Sequence, residues 1–247
     1  MIPLYTTIEG RKVPLISIGT SPFIGAGQFG VKGLLWRSRF LYNAPAMAEL
    51  MMKSYEFGAK GAHIIPLGDI PKAVKLVRKE YPDFVVIGST PPEGVEKGIK
   101  TLIDLDAEII FVHGSIADSL RYELLDRYCR IIEEAGVISG VATHRPVHTV
   151  RYVENNCLCK AVLLPFNPVG YSMENRRLLE EIVDNSSLSF IAMKALAAGS
   201  VRPEEAFKYI SQHNIKAVTV GLVSKEEAKE TIHAALKYLK GDGGKAT

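Results

Sequence analysis

Eight times along this chain a short β-branched apolar run gives way to a stretch with helical spacing, and no linker or shift of composition interrupts the rhythm. The runs are "VPLISIG" (13–19), "AHIIPLG" (62–68), "FVVIGST" (84–90), "EIIFVHG" (108–114), "VISGVAT" (137–143), "AVLLPFN" (161–167), "LSFIAMK" (188–194) and "KAVTVGL" (216–222). They are near-continuously apolar, as strands covered on both faces must be, and such strands are usually parallel. Segments such as "IPKAVKLVRKEY" and "SKEEAKETIHAALKYLKG" between them carry apolar residues at helical spacing. Pro92, Pro146 and Pro203 fall where a first helical turn tolerates a missing N–H, Ser172 or Ser224 offers a capping oxygen, and Gly58 and Gly136 stand where a helix must stop. Eight strand-helix units in 247 residues predict one (β/α)8 TIM barrel over 1–247, with an open doubly wound sheet as the alternative.

Composition narrows the partners. With 30 basic and 27 acidic residues the net charge is +3, and no dense basic tract marks a nucleic-acid surface. No apolar stretch approaches the ~20 residues of a membrane span, and the first residues lack a signal peptide's apolar core, so a cytoplasmic protein acting on a small molecule is expected. Cys129, Cys157 and Cys159 are too few for a zinc site and odd in number for a disulfide framework, and read as buried or incidental thiols. His144 and His148, four apart, could share a helix face, but no carboxylate cluster accompanies them and no metal is expected. Nothing in the sequence sets the oligomeric state.

One motif competes with a barrel. "GAGQFG" (25–30) is a literal G-x-G-x-x-G, the pattern that cradles a dinucleotide's pyrophosphate when a strand precedes it, a helix opens on its third glycine and an acid follows about 20 residues later. Here "VKGLLWRSRFLYNAP" intervenes before a plausible helix near Ala44, and Glu49 lies inside that helix rather than at a strand tip. The motif is therefore expected to be a glycine-rich loop, 25–40, over the barrel mouth. Trp36, Arg37 and Arg39 in it could bind an anionic aromatic ligand or simply cover the barrel top.

Barrel enzymes work at the carboxyl ends of their strands. That places Thr20, Ser21, Asp69, Ser89, Thr90, His113, Ser115, Thr143, His144, Asn167 and Lys194 on the rim, and "GLVSKEE" after the last strand. A helix opening at Ser224, just after Gly221, would present free backbone N–H groups to a phosphate, with Lys225 adding charge. Lys194 ends a strand inside the mouth, where desolvation would favour the free amine needed for Schiff-base chemistry.

Taken in order, "ISIGTSPFIGAGQFG", "EIIFVHG", "GVATHRP", "LLPFNP", "IAMKALAAG" and "AVTVGLVSKEEAKETI" resemble barrel segments of bacterial and archaeal aldo-keto reductases over nearly the whole chain. The resemblance implies an N-terminal β-hairpin closing the barrel floor, turning at Glu9 and Gly10, and hydride transfer from NADPH to a carbonyl compound. His113 matches the family's histidine. The family's Tyr, Lys and Asp do not carry over, for "PLGDIPK" has no Tyr and its Asp69 comes late, while "VVIGST" has Ser89 or Thr90 at the lysine position. Thr143 and His144 replace Ser-Asn, Leu163 stands at a Gln position, Met193 near the nicotinamide-stacking Tyr, and Thr231 at an Asn near the adenine.

The resemblance then implies an NADP-dependent oxidoreductase with an altered proton-donor site. Its catalytic candidates are His113, Asp69 and Lys194; its cofactor candidates are Thr143, His144, Asn167, Gly221, Ser224 and Lys225; and its substrate candidates are Ser21, Gln28, Trp36 and Ser89. The alternatives are a lyase or isomerase acting on a phosphorylated small molecule, and a non-catalytic descendant that binds a ligand.

Overall fold

The computed structural model describes residues 3–119, 121–156 and 159–241. Cys157 lies outside them.

Eight parallel strands close on themselves: β3 (Ile16–Gly19), β4 (Gly61–Ile64), β5 (Val85–Ser89), β6 (Ile109–Val112), β7 (Ile138–Ala142), β8 (Ala161–Pro165), β9 (Ser189–Met193) and β10 (Ile215–Gly221). Each pairs with its sequence neighbours, and β10 returns to β3 with Thr219 opposite Ser17 and Gly221 opposite Gly19. The open sheet is thereby excluded. Under the barrel, β1 (Tyr5–Ile8) and β2 (Arg11–Pro14) form the expected hairpin. Glu9 and Gly10 both take positive φ, as a two-residue turn between right-twisted strands requires. Ile8 and Val13 join Ile87, Ile109 and Ile138 in one buried cluster, which seals the floor.

The helices wrap the outside: α1 (Gly30–Phe40), α2 (Ala44–Phe57), α3 (Ile70–Glu80), α4 (Val95–Ile103), α5 (Gly114–Ala117), α6 (Tyr122–Glu134), α7 (Pro146–Asn156), α8 (Arg176–Asn185), α9 (Pro203–Ile210) and α10 (Lys225–Tyr238). α3 shows how sequence sets the packing. Its Ile70, Ala73, Val74 and Val77 fall on one stripe at helical spacing and are fully buried against the strands. Ile70, Val74 and Val77 each contribute roughly 1.5–3 kcal/mol of transfer free energy, and Ala73 less. α2 is stopped by Gly58, whose φ of 116° a side chain would resist, and α6 by Gly136 at 74°.

Three local expectations change. Pro92 lies outside α4, which starts at Val95, because Gly94 takes the left-handed conformation at φ 66° and interrupts helical backbone between them. Ser172 does not cap α8. It has φ 60°, and Asn175 is the cap, accepting from the Leu178 amide. The segment 30–40, expected as loop, is the helix α1, so a helix does open on the third glycine of "GAGQFG". The strand condition still fails, because β3 ends at Gly19 and two turns separate it from Gly25. Arg37 donates to the Ile24 carbonyl at 2.9 Å and Arg39 to the Val223 carbonyl at 3.4 Å, so both arginines tie α1 to the barrel top.

Candidate active site

At the carboxyl ends of the strands lies a cavity of about 620 Å³, inside the range of about 300–1,000 Å³ usual for small-molecule sites. One wall is polar, with His63, Ser89 and Thr219, and the facing wall is apolar, with Ala142, Leu163 and Met193. His113, His144 and Lys194 stand on the rim. Ser21, Gln28 and Trp36 line the entrance, Trp36 held edge-on against Phe29 with ring centroids 5.1 Å apart. The cavity continues past the Ala195–Gly199 turn to Gly221, Val223 and Glu227.

His63 reaches the cavity from inside β4 because inward positions alternate along a strand, and it is 5% exposed. Its Nε2 bonds the Ser89 hydroxyl at 2.8 Å. Burial holds the ring neutral, its pKa lowered to about 4. The Thr219 hydroxyl in the same lining is buried without a hydrogen-bond partner, as is the hydroxyl of Ser17 opposite it on β3, so the lining keeps unspent polar capacity at Thr219.

His113 is the N-cap of α5. Its Nδ1 accepts from the Ser115 amide at 3.1 Å, which assigns the ring proton to Nε2. Its own amide donates to the Thr90 hydroxyl at 3.0 Å. Burial lowers its pKa while Asp118 opposes the shift, and the same two influences act on Lys194. His144, its ring centroid 6.5 Å from that of His113, is lowered by burial and by the Lys194 charge. At neutral pH the two rings are therefore uncharged bases.

Asp118 organises this rim. Its carboxylate accepts from the Thr143 hydroxyl at 2.5 Å, the His144 amide at 2.8 Å and the Thr149 hydroxyl at 2.8 Å. Lys194 has φ 54°, and Asn167 holds its carbonyl through Nδ2 at 3.3 Å while bonding Tyr171 on both backbone groups. Its Nζ donates to the Ser172 hydroxyl at 3.2 Å.

Among the residues expected from sequence, His113, Lys194, His144, Gly221, Ser21, Gln28, Trp36 and Ser89 come together around the cavity. Asp69 does not line it; its carboxylate pairs with Lys72 at 2.7 Å, and its amide is bonded to the Leu41 carbonyl. Thr143 and Asn167 are fully buried and spend their polar groups on Asp118 and on the 167–171 turn, which makes them positioning residues. Ser224 caps α10 as expected, but Glu227 completes the cap by accepting from the Val223 amide at 2.9 Å. A carboxylate thus occupies the seat expected for a phosphate, and Lys225 turns away to Glu49 at 2.5 Å. His148 bonds Glu174 at 2.8 Å, not His144, and among the described residues no group of three His, Cys, Asp or Glu could hold a metal ion. No described helix is long and apolar enough to cross a membrane.

Solved aldo-keto reductases share this fold. A Pseudomonas aeruginosa protein assigned as an aldo-keto reductase superimposes with a TM-score of 0.72 at 15% identity, covering 97% of each chain. A Brucella melitensis aldo/keto reductase gives 0.66 at 12% identity, covering 98% of this chain and 96% of its own. An aldo/keto reductase from Klebsiella pneumoniae, solved in complex with NADP and acetate, gives 0.63 at 14% identity over 98% of this chain and 93% of its own. No protein-family model and no curated protein sequence matches the chain.

Proposed function

We propose that this barrel, which has the fold of the aldo-keto reductases, is an oxidoreductase that uses NADPH to reduce a small carbonyl compound, with His113 in place of the absent tyrosine. The observation that carries the reading is the continuity of the cavity from His113, across Met193, to the Ala195–Gly199 turn and Gly221. That far stretch suits a dinucleotide. It is built largely from small side chains, and the position of a Cβ on Gly199 meets no atom within 4 Å. Ala195, Leu196, Ala198, Gly199 and Gly221 would hold the cofactor, whose part when bound is to supply the hydride. Charge for its phosphates falls to Lys32 in the lining, since Lys225 is paired with Glu49.

The remaining chemistry belongs to the chain. A neutral His113, with Nδ1 fixed on the Ser115 amide, presents Nε2–H to a carbonyl oxygen and polarises it, and as the alkoxide takes that proton a water returns one to Nε2, so the ring stays neutral and hydroxide is left to solvent. The apolar wall of Ala142, Leu163 and Met193 keeps water from the carbon. A phosphorylated substrate seated on α10 is not favoured, because the Glu227 carboxylate stands in that seat.

The test is the rate at which reduced nicotinamide absorbance disappears over a panel of aldehydes and ketones. His113→Gln should lower kcat by about 10²-fold, the lower end of what a positioned proton donor contributes, and leave cofactor affinity unchanged. Equal rates in the two proteins would remove His113 from the chemistry.

A further inference from the structure

We propose that Lys194 is a nucleophilic amine that captures small hydroxylated aldehydes and ketones as an imine in the barrel mouth. The inference goes beyond carbonyl reduction and does not depend on any nicotinamide.

The case rests first on placement. Lys194 lines the cavity, half-buried at the end of β9, and its Nζ is held by the Ser172 hydroxyl at 3.2 Å with the Tyr171 ring centroid 5.6 Å away. A lysine attacks a carbonyl only as the free amine, which desolvation favours and an ion pair opposes. Asp118 is the carboxylate within electrostatic reach, but it is committed to Thr143, Thr149 and the His144 amide, and no ion pair with Lys194 forms among the described residues. Burial in turn lowers the Lys194 pKa, which enlarges the free-amine fraction.

The second support is backbone strain. A lysine at φ 54° sits in the left-handed region, which costs a residue with a Cβ and persists only where its surroundings impose it. Here Asn167 clamps the Lys194 carbonyl, and the Ala197 amide bonds the same oxygen at 2.8 Å. The backbone thus turns just past the end of β9, at the residue that carries the amine.

The polar part of the lining indicates the ligand. His63 with Ser89, and the unpartnered Thr219 hydroxyl, offer hydrogen bonds to hydroxyl groups next to a carbonyl. The step balances without an oxidant or reductant. The Nζ lone pair adds to the carbonyl carbon, and the carbonyl oxygen takes a proton to give a carbinolamine. That oxygen then leaves as water while nitrogen loses its remaining proton, so amine plus carbonyl becomes imine plus water. His144, in the same lining and within electrostatic reach of Lys194, is placed to carry the proton from nitrogen to the departing oxygen.

The experiment is reductive trapping of the full chain with glyceraldehyde and cyanoborohydride near neutral pH, read by intact mass and peptide mapping. Lys194 should be labelled about tenfold or more faster than any other lysine, a modest part of the advantage that holding two reactants together provides. Lys194→Arg, checked for an unchanged urea midpoint, should lose that fast label. Label spread evenly over the lysines, no adduct at all, or an undiminished fast phase in Lys194→Arg would each overturn the proposal. Failure of NADPH to bind would leave this outcome untouched.

Discussion

His63→Gln tests the buried half of the site through the acid dependence of stability. The His63 ring is 5% exposed, and its pKa is lowered to about 4 by burial, against about 6.5 in an unfolded chain. Above pH 6.5 both states carry the neutral ring and the difference costs nothing. As pH falls below 6.5 the unfolded ring takes a proton that the folded ring refuses until about pH 4, so stability falls with pH through that window. From those two pKa values the loss between pH 7 and pH 5 is about 2 kcal/mol, and about 3 kcal/mol in full below pH 4. Glutamine does not titrate and can still reach Ser89. Urea unfolding of both proteins at pH 7 and pH 5 gives four free energies, and the double difference isolates His63 from every group that titrates alike in both. Wild type should lose about 2 kcal/mol more than the variant. A double difference near zero would mean that the native ring accepts a proton at pH 5, and that the wall is wet or reorganises.

Asp118→Ala should destabilise by about 3 kcal/mol or more in urea, because it strands the buried Thr143 and Thr149 hydroxyls and the His144 amide, and Asp118→Asn should cost less by keeping one acceptor. The same change should lower the His113 pKa further, seen by NMR titration of its ring, since Asp118 is the group that raises it. Gly140→Ala should cost about 1–3 kcal/mol, for its Cβ would fall 2.6 Å from Phe111 Cδ1 and 2.7 Å from the Ala161 carbonyl, which the barrel holds in place; an unchanged urea midpoint would show the interior to be looser than described.

The barrel was legible because its signal is repeated. Eight buried strands read as apolar runs whatever their neighbours, and the "EG" turn at 9–10 fixes the hairpin locally. What depended on partners distant in sequence was not legible. His63 sits inside an apolar run, and only the alternation of inward positions, with Gly61 and Ile65 on the same side, could have marked it. Asp118 draws its meaning from Thr143 and Thr149 in the next strand-helix unit, and the sequence offers no signal that joins them. Lys225 and Glu227 lie two residues apart in the run "SKEE", yet the cap geometry turns Glu227 toward the cavity and leaves Lys225 to Glu49. α1 is not legible because of its five large apolar side chains only Phe40 is fully buried, while Val31, Leu34 and Leu35 are largely exposed, so the segment carries no continuous apolar stripe.

The most direct measurement is a titration of the purified protein with NADPH, followed by its fluorescence, in the absence of any carbonyl compound. A saturable change is expected, abolished when bulk is placed in the far trough by Ala198→Trp while the urea midpoint is kept. No change up to ~1 mM, the upper end of ordinary KM values, would contradict it and leave a ligand-binding barrel without the cofactor of its structural relatives.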